Sequence, residues 1–283
     1  MTTPEFVLIG GSNSGKTHFA GQIYGRLRRA KGNLSLRKDG GTPPNLSPLE
    51  DVLESLSSGR AARHTPASTW AEIALPVVAQ EGGTFDLKWP DYGGEQIASA
   101  FNQRAISDDW RTRLRSAAGW IVLIRLTSET TYSDALERMH KPAEQGKWND
   151  RVIRWDANAY WVEMLQLLLH VAGHGTVNQL HLPKLAVLLS CYDELDTDTR
   201  VPQQMLAERL PLVSEFIKAV WLPSAASVWG LSALGRPLST DSHNEEFIDN
   251  GPETQGWIVD PCGNHSTDLT APLAWLLNAM HDS

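Results

Sequence analysis

Residues 10 to 17 read GGSNSGKT, with the apolar run FVLI just before them at 6 to 9. Gly10, Gly15, Lys16 and Thr17 stand at the fixed places of the pattern G-x-x-x-x-G-K-[ST]. A glycine-rich turn between a strand and a helix aims successive backbone N–H groups at one point, and the helix adds the positive end of its dipole. Such a loop suits phosphate oxygens. The expected phosphate-binding residues are Gly10, Ser12, Asn13, Ser14, Gly15, Lys16, Thr17 and His18, with Lys16 reaching the β and γ phosphates and Thr17 offering its hydroxyl to Mg²⁺.

Two further stretches carry chemistry. WPDYGGEQ, at 89 to 96, contains Asp91 and Gly94 in the pattern D-x-x-G. An acid at a strand end beside a phosphate loop can hold Mg²⁺ through water, and a glycine lets the backbone approach a γ-phosphate; the same letters also make an ordinary turn. AVLLSCYDELD, at 186 to 196, breaks from an apolar run into Cys191, Tyr192 and Asp193, and SAL follows another apolar run at 232 to 234. On its letters alone, Asp193 is either a ligand-reading carboxylate or the cap of the next helix.

These motifs need elements to position them. FVLI (6 to 9), WIVLI (120 to 124), LAVLL (185 to 189) and ASVWGL (226 to 231) are continuous apolar runs, which predicts strands covered on both faces in a parallel sheet. AEIALPVV and TFDLKWPD alternate with period two around EGG (81 to 83), which predicts a hairpin with one wet face. Pro76 lacks an N–H and predicts that its strand lies at the sheet edge. Helices are expected at 16 to 31, 48 to 57, 95 to 117, 156 to 172, 203 to 219 and 267 to 280, the fifth broken or kinked at Pro211. The Gly- and Pro-rich stretch 32 to 48 reads as a loop, and 140 to 151 and 236 to 256 as irregular stretches.

Composition sets outer limits. The 283 residues, 41% of them hydrophobic, suffice for one large α/β domain. The chain is expected to be a single domain over 1–283, with a helical insertion at about 127–183 and a C-terminal helix at about 267–281. Its 33 acids against 25 bases leave a net charge of -8, which speaks against a general nucleic-acid or anionic-membrane surface. Cys191 and Cys262 are too few for a disulfide framework, no apolar run is long enough to span a bilayer, and MTTPEFVLIGG does not read as a signal segment. A cytoplasmic location is the expectation. The basic stretch RLRRAKGNLSLRK (26 to 38) reads as a solvated helix face, and the spacing of His170 and His174 lacks the partners of a zinc site.

The order of the motifs resembles the Ras-like P-loop GTPases: a Walker A loop, a switch-one threonine, Asp-x-x-Gly, a base-reading segment ending in Asp, and a Ser-Ala segment. SCYD (190 to 193) and SAL (232 to 234) occupy the last two places. With HTP (64 to 66), LPVV, PDYGGE and the C-terminal DLTAPLAWLL, the chain resembles most closely the TRAFAC-clade GTPases of bacterial conflict systems, of the double-GTPase type. The resemblance implies a three-layer P-loop NTPase fold whose mostly parallel, Ras-like sheet carries an antiparallel edge hairpin. It implies GTP or GDP as ligand, Mg²⁺ held by Thr17, Thr65 and Asp91, and guanine bound by Cys191, Asp193, Ser232, Ala233 and Leu234. Asp193 would accept from guanine N1 and N2, and the Ala233 amide would donate to O6. Thr69 is the alternative to Thr65.

Two departures and two correspondences bear on rate and affinity. Cys191 stands where the family usually has a lysine lying against the base and the P-loop, and Glu95 stands where many relatives place a glutamine that orients water. Asn13 matches an asparagine that binds a potassium ion in some relatives, and Arg63 lies where others keep a charge-neutralising arginine. The implied catalytic group is Lys16, Thr65, Gly94 and Glu95, hydrolysing GTP slowly as a switch for an unidentified effector protein, in a bacterial defence or signalling system. A nucleotide-bound scaffold with little hydrolysis and a P-loop ATP-dependent small-molecule kinase are the rival readings.

Overall fold

In a computed structural model that describes residues 3–30, 32–37, 46–63, 71–80, 82–91, 103, 106–132, 155–175, 177–195 and 201–281, the four apolar runs form the parallel middle of one sheet. They are β1 (Glu5–Gly10), β5 (Gly119–Ile124), β6 (Lys184–Ser190) and β7 (Ala226–Ser232). β4 (Thr84–Asp91) pairs parallel with β1, and β3 (Ala71–Ala79) turns back antiparallel to β4, which is the expected hairpin. Three short strands extend the edges: β2 (Leu34–Leu36), β8 (Trp257–Val259) and β9 (His265–Ser266), all antiparallel to their neighbours. The order is β2-β3-β4-β1-β5-β6-β7-β8-β9.

The continuous apolar runs are explained by burial on both faces. In β1, Val7 and Ile9 face one layer while Phe6 and Leu8 face the other, and β5 and β6 divide their residues in the same way. Three helices cover the Phe6 side: α1 (Lys16–Arg29), α2 (Ser47–Ser57) and, after the last strand, the C-terminal helix Ala271–His281. The other side is covered by α3 (Asp108–Ser116), α4 (Ala157–Ala172), α5 (Pro202–Arg209) and α6 (Pro211–Val220). A short α7 (Glu245–Asn250) precedes β8, so the C-terminal helix is α8. Each fully buried Leu or Ile in these layers contributes roughly 1.5–3 kcal/mol.

Several expectations are corrected. Pro76 does not lie on the edge strand, because β2 covers β3; it marks where β2 ends. Leu36 pairs with Val77, and the next residue, Arg37, donates to the Pro76 carbonyl at 3.0 Å. Pro76 has no N–H to return, so pairing stops there. The stretch 32 to 48, read as a loop, supplies β2 from residues 34–36. The helix expected at 95 to 117 starts, among the described residues, with a Ser107 cap on Trp110 N, and only residue 103 is helical before it. The stretch 236 to 256 contains α7 and leads into β8 rather than straight to the last helix, which begins at Ala271. The helix expected at 156 to 172 is present as α4, which connects parallel β5 and β6 and buries Trp161, Met164, Leu165, Leu168 and Leu169. The break at Pro211 occurs as expected, dividing 203 to 219 into α5 and α6.

The basic stretch at 26 to 38 is not simply solvated. Arg29 forms an ion pair with Glu253, and Arg26 donates to the Gln255 carbonyl at 2.6 Å. Burial lowers the Arg26 pKa to about 10, opposed by Asp268 and Glu253. These arginines tie α1 to the segment that precedes β8. No helix among the described residues is long and apolar enough to cross a membrane.

Candidate functional site

Parallel register brings the motif-bearing loops to one edge. Gly10 pairs with Leu123, Ile124 with Leu189, and Ser190 with Leu231, so β1, β5, β6 and β7 end level with one another. The loops that follow, after Gly10, Ile124, Ser190 and Ser232, surround a cavity of about 340 Å³. It is lined by residues 12–18, Ala62, Arg63, Arg125, Ser190, Cys191, Asp193, Glu194, Leu231, Ala233, Leu234 and residues 236–238. Open sheets of parallel strands commonly hold ligands at this carboxyl edge.

The first loop is built around Lys16. Its Nζ donates to the Gly10 carbonyl at 2.6 Å, the Gly11 carbonyl at 2.7 Å and Ser14 Oγ at 3.5 Å, while Ser14 Oγ donates to the Gly11 carbonyl at 2.8 Å. The ammonium is thus held inside the ring of the loop, beside the start of α1. Gly15, at φ 77°, caps that helix with no side-chain partner, in a conformation that costs glycine nothing. Asn13 also adopts a left-handed conformation, φ 57°. Together these turns set the loop's amides and the α1 N-terminus toward the cavity.

His18, on the first turn of α1, accepts a hydrogen bond from the Ala62 amide at 3.2 Å through Nε2. A nitrogen that accepts carries no proton, and burial holds the ring's pKa below its ordinary 6.5. The contact fixes the chain at Ala62 and Arg63 against the cavity. Two backbone bonds bring the same segment to the stretch after β7: Ala61 N donates to the Ser239 carbonyl at 2.9 Å, and Asn244 N donates to the Gly59 carbonyl at 3.1 Å.

The loops after β6 and β7 have a different logic. After β6, Cys191 turns left-handed, φ 50°, and starts a single 3₁₀ turn, Tyr192–Glu194. Tyr192 is buried while Cys191 and Asp193 line the cavity. The Cys191 thiol pKa is pushed up to about 11, first by burial, with Arg125 working in the opposite direction. It is therefore neutral at ordinary pH. Ser190 Oγ is buried at the cavity wall without a hydrogen-bond partner. Ser232 lies beneath its loop and accepts from Gly235 N at 2.9 Å, so it shapes the segment while Ala233 and Leu234 line the cavity.

The remaining site residues are placed less completely. Asp91 is the last residue of β4, the strand that pairs parallel with β1, which leads into the P-loop. A hydroxyl and a carboxylate are the hard oxygen donors that suit Mg²⁺. Thr65, Thr69, Gly94 and Glu95 lie outside the described residues. Arg125, Ser190, Glu194 and residues 236–238 were missed by sequence reasoning. A basic residue directly after the strand beside the P-loop strand was a usable signal for Arg125; nothing in the letters RPL at 236 to 238 announced a cavity wall.

A phosphate loop and an acid-bearing loop at the carboxyl edge of one mostly parallel sheet define a P-loop nucleotide-binding protein. The chain belongs to the Double-GTPase 1 family, whose profile matches residues 7–276, and it is a GTP-binding P-loop protein on that ground. No curated protein sequence matches it significantly. Among solved structures it is similar to the signal recognition particle receptor SRb-GTP/SRX complex from Chaetomium thermophilum, at 17% identity and a TM-score of 0.41 over 85% of this chain and 95% of that one. It is also similar to the bacterial selenocysteine-specific elongation factor EF-Sec, at 12% identity and a TM-score of 0.38, over 89% of this chain and 28% of that one.

Proposed function

We propose that this protein is a Mg²⁺-dependent GTPase that alternates between GTP and GDP states in the cavity at the carboxyl edge of its sheet. The observation that carries the proposal is the convergence of Lys16, Asp193 and Ala233 on a single cavity from three loops. The P-loop amides and Lys16 bind the β and γ phosphates and stabilise charge on the bridging oxygen as the terminal bond breaks. Asp193 accepts from guanine N1 and N2, two donors that adenine lacks, and the Ala233 amide donates to O6. Thr17, Thr65 and Asp91 are the residues that would hold Mg²⁺, which neutralises phosphate charge when bound. By the family resemblance Glu95, which follows Gly94 in the chain, stands at the position that orients the attacking water, and Arg63, on the cavity wall, is the candidate to neutralise transition-state charge.

Slow hydrolysis suits a timer. Loss of the γ-phosphate would free the switch-one and Asp-x-x-Gly segments, and an effector protein reads the difference. We place the protein in the cytoplasm, in a bacterial defence or signalling role, on the family resemblance. The test is calorimetric titration with GDP, a GTP analogue and ADP, with and without Asp193→Ala, together with phosphate release from GTP. Tight guanine binding that collapses in the variant, with measurable turnover, is the expected result. Equal binding of ADP would overturn the guanine reading, and GTP retained without turnover would leave a scaffold.

A further inference from the structure

Arg125 lies at a junction that the motifs do not name. It follows β5 directly, and β5 sits between β1, which leads into the P-loop, and β6, which leads into the loop bearing Asp193. Its guanidinium is clamped to Glu194 by two bonds, Nε to Oε2 at 3.0 Å and Nη2 to Oε1 at 2.5 Å, and Thr127 Oγ1 donates to the same Oε2 at 2.5 Å. The third nitrogen, Nη1, points to the Asn13 carbonyl at 3.4 Å. Each of its three nitrogens thereby donates to one of the two loops, and the side chain, 30% exposed, lines the cavity. Its planar face is what it can offer to an aromatic ligand.

We propose that Arg125 is a nucleobase-binding residue, whose guanidinium plane supports the face of the purine while its edges hold the P-loop and the Asp193 loop at a fixed separation. The neighbouring position 191, where the resemblance places a cationic lysine, holds a neutral thiol, so positive charge near the base comes from the adjacent strand instead. A guanidinium held in one plane by a carboxylate fork suits stacking on an aromatic ring, because its rotamer entropy is already lost. Recognition through the face is blind to which purine is bound, whereas Asp193 reads the edge. The two contributions are therefore separable. This inference rests on the proposal that the cavity binds a nucleotide.

The experiment is calorimetric titration of nucleotide-free full-length protein with GDP, inosine diphosphate, ADP and inorganic pyrophosphate, for wild type, Arg125→Ala and Arg125→Lys. Arg125→Ala is expected to weaken GDP and inosine diphosphate by the same factor, roughly tenfold, and to leave pyrophosphate within about twofold. Arg125→Lys keeps the charge but not the plane or the fork, and is expected to recover only part of the loss; it also serves if the alanine variant does not fold. Pyrophosphate weakened as much as GDP, or GDP unchanged, would overturn the inference. Wild type that binds ADP as tightly as GDP would instead sink the guanine reading, while the comparison of ADP with pyrophosphate would still decide whether Arg125 supports the base.

Discussion

The ring of Tyr192 packs directly against Gly230: a Cβ on that glycine would sit 2.6–2.8 Å from three of the ring's carbons. Tyr192 is the buried residue between the two cavity-lining positions Cys191 and Asp193, and Gly230 belongs to the neighbouring strand, paired with Leu189. The depth to which Tyr192 sinks sets where Asp193 stands. Gly230→Ala is expected to cost about 1–3 kcal/mol by overpacking, and, if Asp193 reads the base as proposed, to weaken GDP more than pyrophosphate because the Asp193 loop is pushed outward. Thermal unfolding and the two titrations measure this; a variant that loses stability while keeping its GDP-to-pyrophosphate ratio would separate the ring from the position of Asp193.

Lys16 is held by the carbonyls of its own loop, so removing it has two consequences. Lys16→Ala leaves the Gly10 and Gly11 carbonyls without their donor and takes a positive charge from the cavity where we propose the phosphates bind. Affinity for GTP analogue is expected to fall by about a hundredfold, the size of a charge-assisted hydrogen bond lost in a shielded site. Titration with the GTP analogue reads the affinity, and circular dichroism checks that the variant folds.

Asp193 should be convertible rather than merely removable. Guanine offers donors at N1 and N2, while xanthine carries a carbonyl at position 2. Asp193→Asn presents a donor to that carbonyl, so preference is expected to move from GDP to xanthosine diphosphate. Competition of the two nucleotides for one labelled analogue shows the shift; unchanged preference would mean that Asp193 only caps its turn.

The His18 contact predicts an acid-side loss of stability. The folded pKa lies below the ordinary 6.5, so the unfolded chain takes up a proton first as pH falls. Its contribution is complete above about pH 6.5 and is lost as pH falls through the folded pKa, when Nε2 can no longer accept from Ala62. His18→Gln keeps an acceptor that does not titrate. The fall in Tm between pH 7.5 and 5.5 is expected to be smaller in that variant than in wild type.

Metal dependence has a direct test. Chelation of divalent cations is expected to reduce GTP turnover to background, with recovery on adding Mg²⁺. Thr17→Ala should raise the Mg²⁺ concentration needed for half-maximal turnover. Turnover indifferent to chelation would remove Thr17 and Asp91 from a metal-binding role.

The P-loop and the strand runs were legible because they are local. GGSNSGKT encodes its own turn through Gly15 and its own internal hydrogen bonds through Ser14 and Lys16, all within seven residues. The runs FVLI, WIVLI and LAVLL are apolar on both faces because both faces of β1, β5 and β6 are covered. The break at Pro211 likewise needs only the missing N–H of that residue.

Tertiary structure decided what no run of letters contains. Parallel register put Arg125 between Asn13 and Glu194, partners 112 and 69 residues away in the chain. It also made Pro76 a terminator of β2 instead of an edge residue, and folded 236–238 into the cavity wall. The sequence by itself determined that a phosphate loop leaves the first strand and that acid and serine loops leave two later ones. Which residues close the cavity, and what sets the distance from Lys16 to Asp193, depends on contacts between distant segments, which form only when the sheet is packed between its helical layers.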